Sequence, residues 1–560
     1  MKKLTIALSL ILCVVICVFA FSSCGKKKKP AVTNDPGTAA TTDRWEILGP
    51  EIAAKFSEDQ RTFRFEMSGY SDAEKTSKND KYLAGPDAAG SQETIGQLVY
   101  ERNTNANRLL GTKVEYVYWD GEKSQYGWGN QAARINEVVQ GNDPEAPDLF
   151  VNMLYDLNKA LLTVSAFKDL WSIPGSYFDF SAKGWMEDWM KSLSFSGDRA
   201  YILGSDYFVD IFRNMGVLPF NMTLMDENGA KLATALFGEG NGLSGGETMS
   251  ARFFDHVENE LWTWDSLKKL CEAIYVDTDG DNQTSFGDTL GIITERYSGM
   301  SAAIILYASG ETLTVSDYEK DENGVEKKVT KISYLPDSTV LGEIFDAVKG
   351  VYEADGALTT NSDSGDPGIA EHYNKFARNE VLFADPSLLG TLEDDVFQQM
   401  KPYKYSVVPI PKVSVDKKYN TVIHNTADVG AINVRTEKAA MISAYLQYVT
   451  EHSQDVKTEF LQTVVKFKTT DYDQGTDRML ELIYDHFVDG RDKAIEDAVD
   501  CKGGRSYRFH GMLKDGGFVR GSDYIATAYQ ASVDAKQSIV DEILTRWNAL
   551  PTAETEAASE

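Results

Sequence analysis

The sequence has little of three things that mark common functional classes: basic charge, cysteine and histidine. Its 560 residues include 56 Lys and Arg against 85 Asp and Glu, a net charge of −29, so the basic excess that binds a phosphate backbone is missing and a nucleic-acid partner is excluded. Of the 5 cysteines, only Cys271 and Cys501 follow residue 24, which excludes a disulfide framework. The 6 histidines are scattered singly, with no zinc-type spacing and no Cys/His nucleophile pair.

Long apolar runs are equally rare, and the one present lies at the N-terminus. Lys2 and Lys3 precede the apolar run Leu4 to Phe21, and small residues around Cys24 follow it, which is the pattern of an export signal. The end of this segment resembles a bacterial lipoprotein signal, cut before a cysteine that then carries lipid, and the alternative is an uncleaved anchor. We expect a signal peptide over 1–23, an anchor and flexible tether over 24–60 beginning with lipidated Cys24, and a disordered tail over 551–560.

The remainder is rich in aromatic residues and alternates between strand and helix patterns. Phe63, Phe65 and Met67 alternate with polar residues, a helical pattern follows, and further strands are predicted at 114–119 and 147–152. Ligands of open α/β sheets gather at the carboxyl ends of such strands. This rule predicts a ligand site at residues that follow strand ends: Tyr70, Trp119, Trp128 and Asn152.

Two local signals lie further along the chain. Thr263 precedes an apolar helical pattern and is predicted to cap that helix. Residues 310–335 read as a hairpin around Asp321-Glu322-Asn323-Gly324.

Several landmarks occur in an order that resembles the extracellular solute-binding proteins of ABC importers, family 1, the maltose-binding-protein-like group. The shared order runs from about Phe63 to Thr450. Its landmarks are Pro147-Asp148-Leu149-Phe150, Tyr201-Ile202-Leu203-Gly204, Pro219-Phe220-Asn221, Leu261-Trp262-Thr263-Trp264-Asp265, Asp277 to Asp281 with Phe286-Gly287, Phe376 to Phe383, Val408-Pro409-Ile410-Pro411-Lys412 and Gly430-Ala431-Ile432. Phe220 in place of Tyr, and Arg378-Asn379 in place of Gly, depart from the family pattern.

The resemblance implies an α/β, two-lobed periplasmic-binding-protein fold of type II-like organisation, with discontinuous lobes joined by a hinge. Lobe 1 is expected over 61–205 plus about 429–470, and lobe 2 over 206–428. Crossings between the lobes are placed near 201–210 and 426–430, with a third after Thr450, and C-terminal helices over 471–550 are expected to pack on the lobes.

The function implied by the resemblance is that of a lipid-anchored receptor on the extracellular face of the cytoplasmic membrane of a bacterium. It would capture a carbohydrate, an oligosaccharide in the first instance, and hand it to ABC permease subunits. The receptor would be a monomer that contacts the membrane through its lipid anchor alone, would require no cofactor and would not be an enzyme. Two alternatives stay open: a surface-anchored glycoside hydrolase, and a binding module that feeds a sensor kinase.

The resemblance also assigns candidate ligand contacts. It places Asn152, Tyr207 and Asp428 at turns that line the cleft. Glu295, Arg296 and Tyr297 follow a strand at a position where the family contacts sugar, and Asp385 stands where the maltose-binding protein stacks a tryptophan. Core packing is the alternative for each aromatic residue.

An acidic loop in the second lobe has the spacing of a calcium-binding loop. Its oxygen donors occupy positions 1, 3, 5, 7, 9 and 12 of an EF-hand-type pattern: Asp277, Asp279, Asp281, the Gln283 carbonyl, Ser285 and Asp288. Asn282 replaces the usual Gly at the sharp turn, which the left-handed tolerance of Asn allows. The loop predicts structural calcium, and a surface loop without metal is the alternative.

Overall fold

The computed structural model describes residues 43–67, 81–84, 94–118, 131–141, 145–295, 299–393, 397, 400, 402–466, 474–487, 490–503, 509–512 and 518–550. Twelve strands are present in this part of the chain: β1 Thr62–Met67, β2 Lys113–Tyr118, β3 Leu149–Met153, β4 Gly216–Asn221, β5 Leu290–Glu295, β6 Thr314–Lys320, β7 Glu326–Tyr334, β8 Ala357–Thr360, β9 Val381–Phe383, β10 Ser387–Leu388, β11 Tyr405–Val408 and β12 Asp428–Ile432.

The α-helices, in chain order, are α1 Trp45–Ala53, α2 Thr94–Leu110, α3 Gln131–Gly141, α4 Leu154–Val164, α5 Glu187–Ser192, α6 Asp210–Arg213, α7 Met222–Glu227, α8 Gly229–Phe237, α9 Met249–Glu258, α10 Trp264–Ile274, α11 Gly299–Tyr307, α12 Thr339–Tyr352, α13 Ile369–Ala377, α14 Ala439–Glu451, α15 Gln454–Lys466, α16 Gln474–Asp485, α17 Arg491–Gly503, α18 Phe509–Met512 and α19 Phe518–Asn548. Short 3-10 turns lie at Asp59–Arg61, Ser362–Ser364 and Leu389–Glu393.

The chain divides into two units after Gly49. The first contributes residues 43–49 to the described part, and the Asp43 carboxylate accepts a hydrogen bond from the Trp45 backbone N–H at 3.0 Å as α1 begins. This helix lies inside the segment 24–60 that the sequence predicts as a tether. The segment forms a helix and not a tether because it contains apolar side chains that can be buried, among them Trp45 and Ile52.

The second unit carries a four-stranded sheet, a six-stranded sheet and the two-stranded sheet β6-β7, and the first of these has the strand order β12-β3-β1-β2. Strands β1, β2 and β3 run parallel, and β12 pairs antiparallel with β3, so that Asp428 lies opposite Met153. The buried positions of β1 are Phe63, Phe65 and Met67, as the alternation in the sequence predicts. The carboxyl ends of the three parallel strands and the amino end of β12 therefore share one edge.

The second sheet has the order β10-β4-β9-β5-β8, with β11 paired to β4. Strands β5, β8 and β9 are parallel and end at one edge, whereas β4 runs antiparallel to β9. All of its strands come from residues 216–408, while the first sheet is built from residues 62–153 and 428–432. The predicted two-lobed α/β organisation with a discontinuous first lobe is confirmed by this topology.

Two chain segments, near residues 203–215 and 423–430, cross between the sheets. They pair with each other through isolated β-bridges and not as a continuous pair of strands. Leu203 pairs with Gly430, and Met215 pairs with Ile423. The chain crosses again after α15, because α14 and α15 contact α2 of the first lobe whereas α16 contacts β11 of the second. Among the described residues, no helix combines the length and the apolar character that a membrane crossing requires.

Other local predictions are also confirmed. Thr263 caps α10, since its side chain accepts a hydrogen bond from the Ser266 backbone N–H. Strands β6 and β7 form the predicted hairpin, and residues 321–325 make the turn between them.

Candidate functional site

A cluster of buried polar side chains lies at the shared edge of the first sheet, where β3 ends and β12 begins. Asn152 belongs to β3, Asp428 opens β12, Asp156 lies in the first turn of α4, and Gln131 is the first residue of α3. The four side chains are at most 7% exposed. We call them the edge cluster.

Within the edge cluster, several polar atoms of the free protein remain unsatisfied. One Asp156 carboxylate oxygen accepts the Ala132 backbone N–H at 3.1 Å, and the other has no hydrogen-bond partner among the residues that the structure describes. Both polar atoms of the Gln131 amide are buried and lack partners in the described structure. Such atoms cost free energy when buried, and a ligand with hydroxyl groups would satisfy both the amide and the carboxylate.

Burial also affects the charge of this cluster. Desolvation raises the pKa of Asp156 to about 6, and the nearby Asp428 carboxylate acts in the same direction while backbone N–H groups and Lys159 oppose it. A carboxylate held in this way is a strong acceptor for ligand O–H groups. An anionic ligand would be repelled by the same pair of carboxylates.

The edge cluster adjoins the hinge through Asp210. One Asp210 oxygen accepts the Asp428 backbone N–H at 2.7 Å, and the other accepts a guanidinium N–H of Arg213 at 2.7 Å. Arg213 in turn donates to both oxygens of Glu393, at 3.2 and 3.3 Å. This chain of charge-assisted hydrogen bonds links the first lobe to the 3-10 turn of the second, and the Tyr82 hydroxyl donates to Glu393 at 3.0 Å from the first lobe.

In the second lobe, two predicted residues lie at the carboxyl ends of β5 and β9. Glu295 ends β5, is partly exposed and is hydrogen-bonded by the Ser362 hydroxyl. Asp385 is buried and accepts the Thr294 hydroxyl at 2.6 Å and the Glu295 backbone N–H at 3.3 Å. Burial raises the pKa of Asp385 to about 7, against the effect of these donors. Asp385 therefore positions the backbone of Glu295 from inside the lobe.

Tyr207 lies in the core of the first lobe. It has no exposed surface, its hydroxyl lies 3.3 Å from that of Tyr116, and the Arg102 guanidinium stands 4.6 Å from its ring centroid. Tyr116 is in turn 3.3 Å from the hydroxyl of Tyr445. These contacts give Tyr207 a packing role, and its contact with ligand stays a prediction.

The remaining predicted contacts, Tyr70, Trp119, Trp128, Arg296 and Tyr297, lie outside the described residues, as does Cys24. Of the predicted residues, the structure thus brings together Asn152 and Asp428 at one edge, and Glu295 and Asp385 at another. Gln131 and Asp156 were not predicted. Asp156 follows Asn152 by four residues at the same strand end, a signal that the sequence already contains, whereas the burial of Gln131 depends on tertiary packing.

The acidic loop brings three of its six predicted donors close together. The Asp277, Asp279 and Asp281 carboxylates have oxygens within 4.8 Å of one another. Asn282 has φ of 58°, the left-handed conformation expected at the sharp turn. These three carboxylates are oxygen donors of the kind that hard cations prefer.

The last predicted donor of this loop is held at its base. Asp288 is buried and accepts backbone N–H groups of Thr278 and Ser285, at 2.8 and 2.7 Å. The Ser285 hydroxyl donates to Asp279 at 3.4 Å, and the Gln283 backbone N–H donates to Asp281 at 2.7 Å. These bonds order the loop from within.

No family model and no curated protein matches the sequence. Solved structures with a similar chain path include the GacH receptor of Streptomyces glaucescens, solved unliganded and with acarbose, at 12% identity over 84% of this chain and 98% of that one, with a TM-score of 0.42. An ABC transporter solute-binding protein from Thermotoga lettingae, bound with α-D-tagatose, has 12% identity over 86% and 100%, with a TM-score of 0.46. The galacto-N-biose/lacto-N-biose I-binding protein of a Bifidobacterium longum ABC transporter has 10% identity over 87% and 98%, with a TM-score of 0.45. In chain path, this protein is thus similar to solute-binding proteins of ABC transporters.

Proposed function

We propose that this protein is a receptor that binds a neutral, hydroxyl-rich solute, a carbohydrate, between its two lobes. The observation that carries the proposal is the edge cluster, where the Gln131 amide and one Asp156 oxygen are buried without partners in the described structure. An amide offers a donor and an acceptor and a carboxylate offers acceptors, which together match adjacent hydroxyl groups of a sugar. Glu295, at the edge of the second sheet, would contact the ligand from the other side.

Hinge closure on the ligand would distinguish the loaded receptor from the empty one. The crossing segments are joined by the single bridges Leu203 to Gly430 and Met215 to Ile423, which allow the lobes to rotate with little loss of pairing. The sequence resemblance supports delivery of an oligosaccharide to ABC permease subunits by a monomeric receptor that performs no chemistry.

The N-terminal pattern supports export and lipid attachment at Cys24, which would hold the receptor on the extracellular face of the membrane. Mass spectrometry of the mature N-terminus, compared between the wild type and Cys24→Ala, tests this part. A diacylated Cys24 is the expected result, and an intact N-terminus that begins at Met1 would contradict it.

Thermal-shift and calorimetric screening of the whole protein tests the binding function. We expect at least one oligosaccharide to raise the melting temperature, because a ligand bound only by the folded state stabilises it by mass action. Peptides and polyamines serve as comparison ligands. Stabilisation by one of these and by no glycan would overturn the carbohydrate assignment, and release of reducing ends from a bound glycan would favour the hydrolase.

We further propose that the acidic loop binds calcium as a structural ion, through Asp277, Asp279, Asp281, the Gln283 carbonyl, Ser285 and Asp288. The support is the convergence of three carboxylates within 4.8 Å and the left-handed Asn282. The ion would neutralise these carboxylates and tie the loop to the start of β5. Aspartate at the twelfth position coordinates less fully than glutamate, so a modest affinity is expected.

Replacing one of these carboxylates, Asp279→Ala, should weaken calcium binding at least about tenfold, because the affinity of such loops follows the number of charged ligands. Terbium luminescence measures this directly, since Tyr275 lies close enough to the loop to be influenced by Asp277, Asp281 and Asp288 and would sensitise the ion. Asp321→Ala is a matched control, because both residues order a turn through backbone N–H groups. Asp279 accepts that of Asp281 at 3.2 Å, and Asp321 accepts those of Asn323 and Val325 at 2.9 Å each. Equal binding by both variants, or none by the wild type at millimolar calcium, would contradict the site.

A further inference from the structure

The longest helix of the described chain contacts both lobes. Helix α19 has 31 residues, which corresponds to a length of about 46 Å at 1.5 Å per residue. Its first half lies on the second lobe, where the Ser522 backbone N–H donates to Asp346 of α12 at 3.0 Å and the Tyr529 hydroxyl donates to the Leu335 carbonyl. The contacts between α12 and α19 are among the most extensive between helices of this structure.

The last turns of α19 are anchored on the first lobe. Trp547 is buried, packs edge-on against Phe195 and Tyr201, and donates its indole N–H to the Ser196 hydroxyl at 2.7 Å. Arg199 donates to the Leu550 carbonyl at 2.6 Å and to the Trp547 carbonyl at 3.2 Å. Residues 195–201 belong to the first lobe, since the Ala200 carbonyl of this segment accepts the backbone N–H of Leu170 at 2.6 Å.

The β6–β7 hairpin makes a second connection of the same kind. It is inserted between α11 and α12 of the second lobe, yet the Val329 backbone N–H donates to the Ser196 carbonyl of the first lobe at 2.8 Å. Gln537 of α19 pairs with the same hairpin in both directions, to the Ile332 carbonyl at 2.8 Å and from the Tyr334 backbone N–H at 3.1 Å. The hairpin and α19 therefore meet the first lobe as one body.

This body has a core of its own. Lys536 of α19 is fully buried, and its ammonium group donates to Glu496 of α17 at 2.6 Å. The other Glu496 oxygen accepts the Tyr334 hydroxyl at 2.6 Å, and the Phe509 ring lies 3.1 Å from the Lys536 ammonium. We call the hairpin with helices α17, α18 and α19 the clamp, because its parts are fixed to one another and reach both lobes.

We propose that the clamp restrains the relative motion of the two lobes and so sets how far the ligand site opens. The single bridges of the crossing segments resist rotation weakly, whereas the attachments at Ser522 and Trp547 are separated by 25 residues of helix, about 38 Å. Contacts far from a rotation axis must shift further for the same rotation than contacts at the axis. The two attachments of α19 therefore limit rotation of the lobes more strongly than the bridges at the hinge. The effect of the clamp on ligand affinity rests on the proposed receptor function. If the lobes sample more arrangements, a smaller fraction of the protein is competent to bind, and the apparent affinity falls in proportion.

The test measures the distance between the lobes in the whole, ligand-free protein. Gln140 of α3 and Lys231 of α8 are exposed positions on the first and second lobes, and each is replaced by a keto amino acid that carries a nitroxide label. Pulsed electron spin resonance then gives the distribution of label distances. Trp547→Ala removes the attachment of α19 to the first lobe and leaves the hairpin contact at Val329 in place. The loss of this attachment should broaden the distribution about twofold, as expected for a partly released hinge.

Two variants separate release of the clamp from loss of stability. Trp262→Ala removes an equally buried indole that donates to the Pro409 carbonyl at 3.0 Å in the second lobe, away from the clamp, and should lower the melting temperature without broadening the distribution. Trp547→Phe keeps the ring packing and should stay close to the wild type. Where Trp547→Ala fails to fold, Arg199→Ala provides a milder release.

An unchanged distribution in a folded Trp547→Ala or Arg199→Ala variant overturns the proposal, as does equal broadening by Trp262→Ala. The measurement needs no ligand. Its failure therefore leaves the receptor function standing, and failure to find a ligand leaves the clamp standing.

Discussion

Replacing the buried ammonium group of the clamp, Lys536→Met, is expected to lower the free energy of unfolding by about 3–5 kcal/mol, because it leaves the Glu496 carboxylate buried without its cation. Lys536 has no exposed surface, and Glu496 is 2% exposed. Burial lowers the pKa of Lys536 to about 8 although Glu496 opposes this. Desolvation of the pair is thus costly, and the geometry that offsets it is lost in the variant. Chemical denaturation measures the effect.

Two comparison variants make the result specific. Lys349→Ala removes the cation of a helix surface pair with Glu353, where screening by water limits the loss to less than about 1 kcal/mol. Lys536→Met combined with Glu496→Gln removes the buried charge altogether and keeps an amide oxygen as acceptor for the Tyr334 hydroxyl or the Phe509 backbone N–H. The double variant should regain part of the lost stability. A single variant no less stable than Lys349→Ala would show that the pair does not hold the clamp together.

Features that depend on local pattern could be predicted from the sequence. The buried face of β1 follows from alternation at Phe63, Phe65 and Met67, and the cap at Thr263 follows from its position before an apolar helical stripe. The left-handed Asn282 follows from the spacing of the acidic loop. Each of these signals lies within about a dozen residues. Over that length the local backbone geometry determines which side chains share a face, where a helix begins and where the chain turns.

Features that depend on distant contacts could not be predicted in this way. Nothing near Tyr207 indicates that Tyr116 and Arg102 surround it, and a tyrosine after a crossing segment is equally consistent with a cleft wall. Lys536 has no acidic residue three or four positions away in its own helix, and its partner Glu496 comes from another helix. The α-helix at 45–53 was missed for a related reason. The predicted tether included this segment, and the burial of Trp45 and Ile52 depends on contacts that the local sequence does not show.

The edge cluster gives the second large expected effect, and here stability and binding should move in opposite directions. Gln131→Leu replaces a buried amide that lacks partners in the described structure, so the ligand-free protein should gain about 1–3 kcal/mol of unfolding free energy. The same variant should bind its carbohydrate about 10- to 100-fold more weakly, since the ligand loses one or two hydrogen bonds to a buried group. Functional sites commonly carry such a stability cost.

Gln447→Leu is the matched control for this prediction. The Gln447 amide is equally buried, but its oxygen accepts the Trp185 indole N–H and the Asp179 backbone N–H at 2.9 Å each, and its nitrogen donates to Glu451 at 2.7 Å. Its replacement should therefore destabilise the protein by about 1–3 kcal/mol.

Chemical denaturation gives the unfolding free energy of the two leucine variants, and calorimetry gives their ligand affinity. The comparison distinguishes an amide that binds ligand from one that stabilises the fold. Destabilisation by both would mean that Gln131 is satisfied within the free protein. Unchanged ligand affinity in Gln131→Leu would remove the edge cluster from the binding site, and with it the main support for a sugar between the lobes.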